Sequence, residues 1–487
     1  MKKIFNILML FCLIVSCEND LDINTDPNNP ANPDKSYILT AAQGSLVTVM
    51  GGNLTNLGGF FAQYHTQAPS ASQYLNIDTY NINTDYANRL WTELYAGCLN
   101  DLNYVVSVSN EDGDAGSLFI ARVLRAYTFQ VLTDLFGDIP YSEALQGNDN
   151  ITASLDPSEE IYQNLIAEIK NAKAAYLANP TPSSVGKQDA IYNADMDNWM
   201  KFANTLMLKL YLRMSYTSSV SSSEVMSLIN EDNFISADAK FSAYDGEIDK
   251  SNPFYDVQLD RLGDVNNVAS NSLLQFYQAH SDPRIDMVYR LNNAEIYRGL
   301  DQGNRAAFAS EQAPSFSRPN VTPTTPVYLM TVSESNFLQA EALIRYASGN
   351  GAEAKYNAGV ENSFLTYGLT SAAAQPFIAP GGDYEYVPDA DVETALRQVM
   401  IQKWASLAYI NNIEAFFEVN RTKYPETVAS GSEDYEMGNL ISSINSVLPG
   451  TQTPNSLFYP DAEVTRNPNM EQKSSITDKI WWDQKQE

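Results

Sequence analysis

Two polar stretches of the sequence carry the side chains best suited to holding a polyhydroxylated or extended ligand. Residues 65–83 combine tyrosines with asparagines and glutamines, and residues 241–326 combine tyrosines with arginines. Aromatic rings stack on the apolar faces of sugars, while amide and guanidinium groups bond the hydroxyls, and the same groups would grip an extended peptide. The candidate ligand-binding residues, chosen by their position in these loops, are Tyr74, Tyr80, Tyr255, Arg261 and Tyr297.

The sequence contains little that indicates catalysis. Its two histidines, His65 and His280, are far apart, and it has no zinc-protease, nucleophile-elbow, Walker A or C-x-x-C motif. A carboxylate pair for glycoside hydrolysis stays open, because 59 acidic residues form many pairs. We therefore predict a protein that is not an enzyme, and we keep a surface glycosidase or peptidase as an alternative.

One acidic triplet has the start of a metal-binding pattern. Asp245, Glu247 and Asp249 alternate as at the beginning of a calcium loop. Lys250 and Asp256, however, stand where such a loop needs a glycine and a bidentate glutamate. We predict no metal site and no cofactor.

Residues 1–16 have the pattern of a bacterial lipoprotein signal peptide. Lys2 and Lys3 precede an apolar run that is too short to span a bilayer, which needs about 20 residues. Ser16 is small enough for the signal peptidase, and Cys17 supplies the thiol that would be acylated. Acyl chains contribute about 0.8 kcal/mol per buried CH₂, so we expect the mature chain to be anchored to a membrane without crossing it. Residues 17–35, acidic and then proline-rich, are predicted to form a flexible leader.

The chain is strongly acidic, which excludes some partners. Loss of Lys2 and Lys3 from the 30 basic side chains leaves 28 against 59 acidic ones, a net charge of about −31. Such a chain repels phosphate backbones and anionic headgroups, so we exclude nucleic acid and expect lipid alone to supply the anchor. With Cys17 acylated, only Cys98 remains in the mature chain, so no intramolecular disulfide is expected.

Amphipathic helices must position the loops. Residues 118–135 repeat apolar side chains every three or four positions, and Gly137 and Pro140 end this helix in a fixed loop. Further helices are predicted at residues 37–50, 89–110, 157–178, 198–216 and 391–424, with a glycine-rich break at residues 51–59. Within residues 241–326 only residues 272–280 are predicted to be helical, and so long a loop region is usually functional.

One helix pair has the length of a tetratricopeptide repeat. Residues 331–348 and 352–367 flank a Gly-Asn-Gly turn in a unit of about 35 residues, close to the 34 of that repeat. Paired amphipathic helices of this kind stack to bury a shared core. The sequence thus predicts an all-α fold of tetratricopeptide-type helix pairs with long irregular loops, and it leaves the number of pairs open.

Several motifs together resemble the SusD/RagB family of outer-membrane nutrient-binding lipoproteins. They are NTDPN at residues 24–28, FGDIPY at 136–141, DPR at 282–284, AEA at 340–342 and WW at 481–482. The resemblance extends over essentially the whole chain. It implies a SusD-like helical nutrient-binding domain over residues 36–487, after the signal peptide and leader.

The resemblance also implies a function. A SusD-like protein of Bacteroidetes type is expected on the cell surface, where it binds oligosaccharide or oligopeptide and delivers it to a SusC-like TonB-dependent β-barrel in the outer membrane. Glycan is the family's best-known substrate class, and peptide stays open. A tetratricopeptide scaffold that binds only protein is a further alternative, because such stacks often bind proteins.

Overall fold

The computed structural model describes residues 32–247, 249–388 and 390–485. The predicted signal peptide, the predicted acylation site Cys17 and most of the predicted leader lie outside the described residues. The described chain is mostly helical, which confirms the all-α prediction. The number of tetratricopeptide repeats stays a prediction.

The α-helices, numbered in chain order, have the following bounds. They are α1 (Lys35–Thr48), α2 (Thr55–Phe61), α3 (Leu75–Asp78), α4 (Asn88–Thr92), α5 (Asn100–Asp112), α6 (Ala115–Phe136), α7 (Ser158–Ala178), α8 (Met196–Arg213), α9 (Ser222–Glu231), α10 (Asn271–Ala279), α11 (Arg284–Val288), α12 (Val332–Tyr346), α13 (Ala352–Thr366), α14 (Ser371–Ile378), α15 (Val392–Ser406), α16 (Asn412–Thr422) and α17 (Asp461–Arg466). Three π-helical segments, Val49–Leu54, Glu93–Leu99 and Tyr255–Arg261, and four short 3-10 helices, Gly147–Asp149, Gly186–Gln188, Asn304–Phe308 and Ala313–Ser315, complete the helical structure of the described residues.

The strands are short and pair two by two. They are β1 (His65–Gln67), β2 (Ala239–Phe241), β3 (Asn267–Ala269), β4 (Tyr289–Arg290), β5 (Arg318–Pro319), β6 (Val327–Met330), β7 (Thr427–Val428) and β8 (Leu440–Ile441). The pairs β1–β3, β2–β6 and β4–β5 are antiparallel, and β7–β8 is parallel. These strand pairs tie the loop segments to one another.

The helices bury two large apolar clusters. The first is built from the amino-terminal half of the chain, with α6 running through it, and the second lies mainly between α10 and the later helices, around Phe337 and Trp404. Neighbouring helices pack as pairs, including α5 with α6, α6 with α7, and α12 with α13. Helix α6, predicted at residues 118–135, is therefore a central scaffold element.

The loop that follows α6 is rigidly held. Gly137 adopts a positive φ of 78°, which ends the helix. The Asp138 carboxylate accepts from the Ser158 amide at 2.7 Å, and the Pro140 carbonyl accepts from the Tyr95 hydroxyl at 2.6 Å. The FGDIPY motif therefore joins α6 to the first turn of α7 and to Tyr95 in the segment before α5.

A buried ionic network joins five helices of the described chain. Asp134 on α6 meets Arg213 on α8, and Lys209 on α8 meets Glu334 on α12 at 2.6 Å. Arg421 on α16 is bonded to Glu341 on α12 at 2.6 Å. The network contains as many carboxylates as cations: Asp134, Glu334, Glu341, Glu414 and Glu418 against Lys209, Arg213, Arg345, Lys403 and Arg421. This balance allows so many charges to be buried, because each group has an opposite partner.

Two predictions about helices are wrong. Residues 51–59 are helical, because their glycines provide close contacts: a Cβ on Gly58 would lie 2.4 Å from the Asn412 backbone, and one on Gly59 2.1 Å from the His65 ring. The predicted single helix over residues 391–424 is two helices, α15 and α16. It breaks at Tyr409, which has a φ of +55°, and the Asn411 side chain then caps α16.

The central region is more ordered than predicted. Residues 241–326 contain the predicted helix, now α10, and also the π-helical segment Tyr255–Arg261, α11, two 3-10 helices and three short strands. The DPR motif at its centre is structural, since the buried Arg284 guanidinium is bonded to Asp282 at 2.6 Å and to Ser363 at 2.9 Å.

Candidate functional site: the loop face

The early and central polar loops, far apart in the sequence, meet in the structure. Gln258 Nε2 donates to the Tyr74 hydroxyl at 2.7 Å, and the Tyr74 amide donates to Gln67 Oε1 at 2.8 Å. Arg305 adds a second link, since its guanidinium donates to the Pro69 carbonyl at 3.1 Å. We use the name loop face for the surface formed by residues 68–76, 255–265 and 286–319.

One π-helical segment of the loop face carries two of the predicted site residues. Tyr255 and Arg261 lie at the two ends of Tyr255–Arg261, and Gln258 between them reaches Tyr74. The Arg261 side chain is 57% exposed and is held by Asp249 at 2.6 Å and Asp256 at 3.0 Å. Its guanidinium is therefore preorganised by two carboxylates while it remains accessible to a ligand. The structure thus joins Tyr74 to the segment that carries Tyr255 and Arg261.

Tyr297 lies on another part of the loop face. It is half-buried, and its hydroxyl donates to Asp286. Burial is the largest cause that raises the pKa of Tyr297, followed by the Asp286 carboxylate, so the hydroxyl stays protonated at neutral pH. Next to it, the Arg298 guanidinium stacks on the Phe316 ring at 4.4 Å.

Tyr80 lies beneath the loop face and not on it. Only 1% of the residue is exposed, and its ring packs against Phe61 at 5.9 Å between centroids. The nearby Asp78 is also buried and accepts from Thr66 at 2.7 Å and from Gln302 at 2.8 Å. Burial raises the pKa of Asp78 to about 6. In this arrangement Tyr80 supports the loop and does not face a ligand.

Sequence reasoning missed several polar residues of the loop face. Gln258 was not among the predicted site residues. Asp264 was also missed, although its carboxylate accepts hydrogen bonds from Arg290 at 2.8 Å and from Arg318 at 2.6 Å. A signal was present in the sequence, since every basic residue between Lys250 and Lys355 is an arginine. Arginine bonds in a planar fork and stacks on rings, which suits ligand recognition better than lysine does.

Exposed apolar side chains are also concentrated in this region. Of fourteen large hydrophobic residues exposed in the described chain, five lie between residues 257 and 296: Val257, Val265, Met287, Leu291 and Ile296. Four of them are adjacent in the sequence to residues that form hydrogen bonds within the loop face. Val265 follows Asp264, Met287 follows Asp286, Leu291 follows Arg290, and Ile296 precedes Tyr297. Exposed apolar side chains therefore lie among the polar groups of the loop face along the sequence.

Both histidines have ring nitrogens engaged within the protein. His65 is fully buried, with its ring nitrogens 3.0 Å from the Tyr409 hydroxyl and 3.0 Å from the Asn56 carbonyl. Burial lowers the pKa of His65 to about 3, so the ring is neutral at physiological pH. His280 lies at the end of α10, with Nδ1 2.7 Å from the Phe276 carbonyl.

The acidic triplet forms ion pairs. Asp245 and Glu247 lie on opposite sides of Lys250, at 3.4 and 3.0 Å, and Asp249 holds Arg261. Within the described residues no group of three or more histidine, cysteine, aspartate or glutamate side chains is arranged to hold a metal ion.

Comparison with known protein families identifies the family of this chain. A family model described as SusD-like, "Starch-binding associating with outer membrane", matches residues 27–442. The chain belongs to this SusD-like family. By that description its members are starch-binding proteins associated with the outer membrane, which confirms the family resemblance found in the sequence.

Solved structures of SusD-like proteins share the fold. A SusD homolog from Bacteroides uniformis aligns with a TM-score of 0.75 and 21% identity, over 92% of this chain and 100% of that one. A homolog from Bacteroides thetaiotaomicron has a TM-score of 0.75 and 22% identity, over 93% of this chain and 100% of its own. A chitin-binding SusD homolog from Flavobacterium johnsoniae has a TM-score of 0.74 and 18% identity, over 91% and 98% of the two chains.

Two further results complete the comparison. No curated protein matches the chain. Among the described residues, no helix of this SusD-like protein is both long enough and apolar enough to cross a bilayer.

Proposed function

We propose that this SusD-like protein captures oligosaccharide at the cell surface by non-covalent contacts on the loop face. The observation that carries the proposal is the bond between Gln258 and Tyr74, which links Tyr74 to the segment bearing Tyr255 and Arg261. A half-buried tyrosine on the early loop and an exposed guanidinium on the central one are side chains that could stack on a sugar ring and bond its hydroxyls. The chitin-binding relative supports saccharide as the ligand class, and oligopeptide remains the second candidate.

We further propose that Cys17 carries the lipid that anchors the chain, with residues 17–35 as the leader and residues 36–487 as one nutrient-binding domain. A net charge of −29 would keep an unlipidated chain away from anionic headgroups, so the acyl chains have to supply the attachment. Helix α1 begins at Lys35, whose ammonium is bonded to Asp112 at 2.8 Å, so the folded part includes that residue.

The proposed partner is a SusC-like TonB-dependent β-barrel, to which the loop face would deliver its ligand. The support for this step is membership of a family described as associating with the outer membrane. Co-purification of the lipidated chain from membranes tests it: we expect a β-barrel of TonB-dependent type, and recovery of the chain alone under mild detergent would contradict the proposal.

The scaffold alternative is less favoured, because the carboxyl-terminal segment lies across several helices. Trp482 donates to Asp134 on α6 at 2.8 Å, and Trp481 packs against Tyr162 on α7 at 5.7 Å. Lys485 donates to the Thr422 carbonyl on α16 at 2.8 Å. This segment covers parts of α6, α7 and α16, which leaves less helix surface free for a partner peptide.

A calorimetric screen identifies the ligand class. The purified full chain in detergent is titrated with neutral oligosaccharides and, separately, with oligopeptides. Saturable binding of an oligosaccharide is the expected result. Binding confined to peptides would make oligopeptide the ligand class. Binding to neither class would favour the scaffold alternative.

A further inference from the structure

A cavity outside the loop face lies near the carboxyl-terminal segment. It has a volume of about 710 Å³ and is formed by the end of α16, strand β7, the loop at residues 451–455 and the segment at residues 477–485. This volume falls within the range of about 300–1,000 Å³ that is typical of small-ligand sites. Because the loop face consists of other residues, a ligand held in this cavity occupies a separate site.

The lysines of this cavity are paired with carboxylates of the protein. Lys485 is bonded to Glu393, which lines the same cavity. Lys423 is paired with Asp483 at 2.9 Å, and Lys479 lies 3.9 Å from that carboxylate. Every lysine of the lining therefore has a carboxylate partner, so the cavity does not select an anionic ligand.

The polar groups left for a ligand are mostly neutral. Within the part of the chain that the structure describes, four side chains of the lining form no hydrogen bond: Thr427, Thr451, Gln452 and Thr453. Glu426 also lines the cavity, is exposed, and has no ion pair among the described residues. A carboxylate in this position accepts from hydroxyl groups and repels an acidic ligand.

One buried side chain of the lining keeps an unused acceptor. Asn420 is only 3% exposed, and its Nδ2 donates to the Pro454 carbonyl at 3.2 Å. This bond fixes the orientation of the amide, because only its nitrogen can donate. Its Oδ1 accepts no hydrogen bond from the described residues. A buried acceptor without a donor is costly, so Asn420 favours a ligand that donates into the cavity.

The balance of donors and acceptors indicates the ligand class. The Asn420 oxygen and the Glu426 carboxylate only accept, whereas the threonine hydroxyls and the Gln452 amide both donate and accept. A sugar unit carries several hydroxyls that can donate, while a peptide residue carries one backbone N–H. The apolar side chains of the lining suit the apolar face of a sugar ring, and they are Val419, Pro425 and Val428.

We propose that this cavity binds a short neutral oligosaccharide, with Asn420, Glu426 and Gln452 bonded to its hydroxyls. The inference adds a second site and does not depend on binding at the loop face. Lys485 covers the Tyr424 ring at 3.9 Å from its centroid, so this ring is not free to stack on a sugar. We therefore expect weaker binding here than at the loop face.

Amide hydrogen exchange locates the binding without a mutation. The full chain in detergent is compared with and without each of three neutral trisaccharides, cellotriose, maltotriose and mannotriose. We expect at least one of them to protect residues 426–428 and 451–455 from exchange. No protection of these residues by any of the three would overturn the proposal.

Two further probes test the ligand class in the same experiment. Trigalacturonate should protect the cavity less than the neutral sugar does, because Glu426 and a chain with a net charge of −29 repel it. Equal protection by trigalacturonate would overturn the neutral assignment. Equal protection by the uncharged peptide N-acetyl-triglycine amide would overturn the saccharide assignment.

Variants test the side chains. Gln452→Ala and Thr453→Val should each raise the sugar concentration for half-maximal protection of residues 426–428 about three- to tenfold, because each loses a hydrogen bond. The matched control is Gln163→Ala, an exposed glutamine on α7, which should behave as wild type does. Wild-type behaviour of both cavity variants, at an unchanged melting temperature, would overturn the proposal.

The same exchange data separate this site from the loop face, which is monitored through residues 255–261. Protection of both regions supports both sites. Protection confined to the cavity supports the second site and contradicts the proposed function of the loop face. Protection confined to residues 255–261 overturns the second site and leaves the proposed function standing.

Discussion

At the scale of single residues, the loop face depends on side chains that are held in place by neighbours yet remain exposed. Arg261 is the clearest case, since Asp249 and Asp256 fix a guanidinium that is still 57% exposed. Preorganisation of this kind lowers the entropy cost of binding. Under the proposed function, Arg261 would contact the ligand with a smaller entropy loss than an unpaired surface arginine.

Replacing Arg261 should therefore weaken ligand binding without unfolding the protein. Arg261→Ala is expected to reduce affinity for the captured oligosaccharide about tenfold, as loss of a hydrogen bond to a charged group does. The matched control is Arg89→Ala on α4, a 76% exposed arginine paired with Glu93 at 3.6 Å, and it should bind as wild type does. Calorimetry with melting curves measures both quantities, and equal affinities in the two variants would contradict this role.

The burial of Asp78 predicts that the stability of the fold depends on pH. Burial raises the pKa of its carboxyl from 3.8 to about 6, so ionisation penalises the folded state. Compared with a carboxyl whose pKa is not shifted, protonated Asp78 stabilises the folded state fully below pH 3.8. This stabilisation is lost as the pH rises through about 6. Asp78→Asn removes this penalty and keeps an oxygen for Thr66 and Gln302, which both donate to Oδ1.

We expect Asp78→Asn to raise the free energy of unfolding at pH 8 by about 2–3 kcal/mol, since one pKa unit corresponds to about 1.4 kcal/mol. At pH 4 the variant and wild type should be nearly equal. Chemical denaturation at the two pH values measures the difference. An effect that is the same at both would show that ionisation of Asp78 is not its cause.

Residue types and loop positions in the sequence were enough to select Tyr74, Tyr255 and Arg261 as candidate site residues. They could not separate Tyr74 from Tyr80, because the two lie in the same polar stretch and differ only in how the fold buries them. Gln258 was missed for a similar reason: its importance comes from a bond to Tyr74, a residue far away in the sequence.

At the scale of elements, the buried ionic network fixes how the helices pack. Arg421 on α16 bonds to Glu341 on α12 and to Glu418 on its own helix. Removal of one member of such a network leaves buried charges without a partner. The network therefore requires all its members together.

Arg421→Ala should lower the free energy of unfolding by about 3–5 kcal/mol, the usual cost of breaking a buried ion pair. Lys170→Ala is the matched control, since its pair with Glu224 is about half exposed, and it should change stability by less than about 1 kcal/mol. Denaturant titration compares the two variants. A similar small effect in both would mean that the network does not hold the helices.

The loop after α6 makes a second prediction at this scale. Pro140→Ala should lower the free energy of unfolding by about 1 kcal/mol, because alanine increases the freedom of the unfolded chain. Affinity should change little, because Pro140 is bonded to Tyr95 within the scaffold. Lost binding at an unchanged melting temperature would overturn the scaffold role of this loop.

Apolar periodicity predicted most long helices. The face of a helix that packs against its neighbours repeats apolar residues every three or four positions, whatever the fold. It failed at Gly58 and Gly59, whose glycines serve close helix contacts that become visible only in the tertiary structure. It also joined α15 to α16, because the break at Tyr409 has no proline or glycine to mark it.

At the scale of the whole molecule, the two large apolar clusters and the carboxyl-terminal segment form the scaffold, and the loops are left to make contacts. Trp482 is fully buried, and its ring lies 5.5 Å from the Arg213 guanidinium, so the end of the chain is packed against the charged core. The loop face has a near-neutral local balance, with five arginines against seven acidic residues over residues 255–265 and 286–319, in a chain with a net charge of −29. An uncharged saccharide can approach such a surface without strong repulsion.

The central claim is that the loop face captures oligosaccharide without chemical change. The most direct measurement is a calorimetric titration of the full chain with neutral oligosaccharides, with product analysis of the same samples, for wild type and for Tyr255→Ala/Arg261→Ala. We predict saturable binding of intact saccharide by wild type and a loss of at least about tenfold in the double variant, at an unchanged melting temperature. Cleaved saccharide, or a double variant that binds as tightly as wild type, would contradict the account.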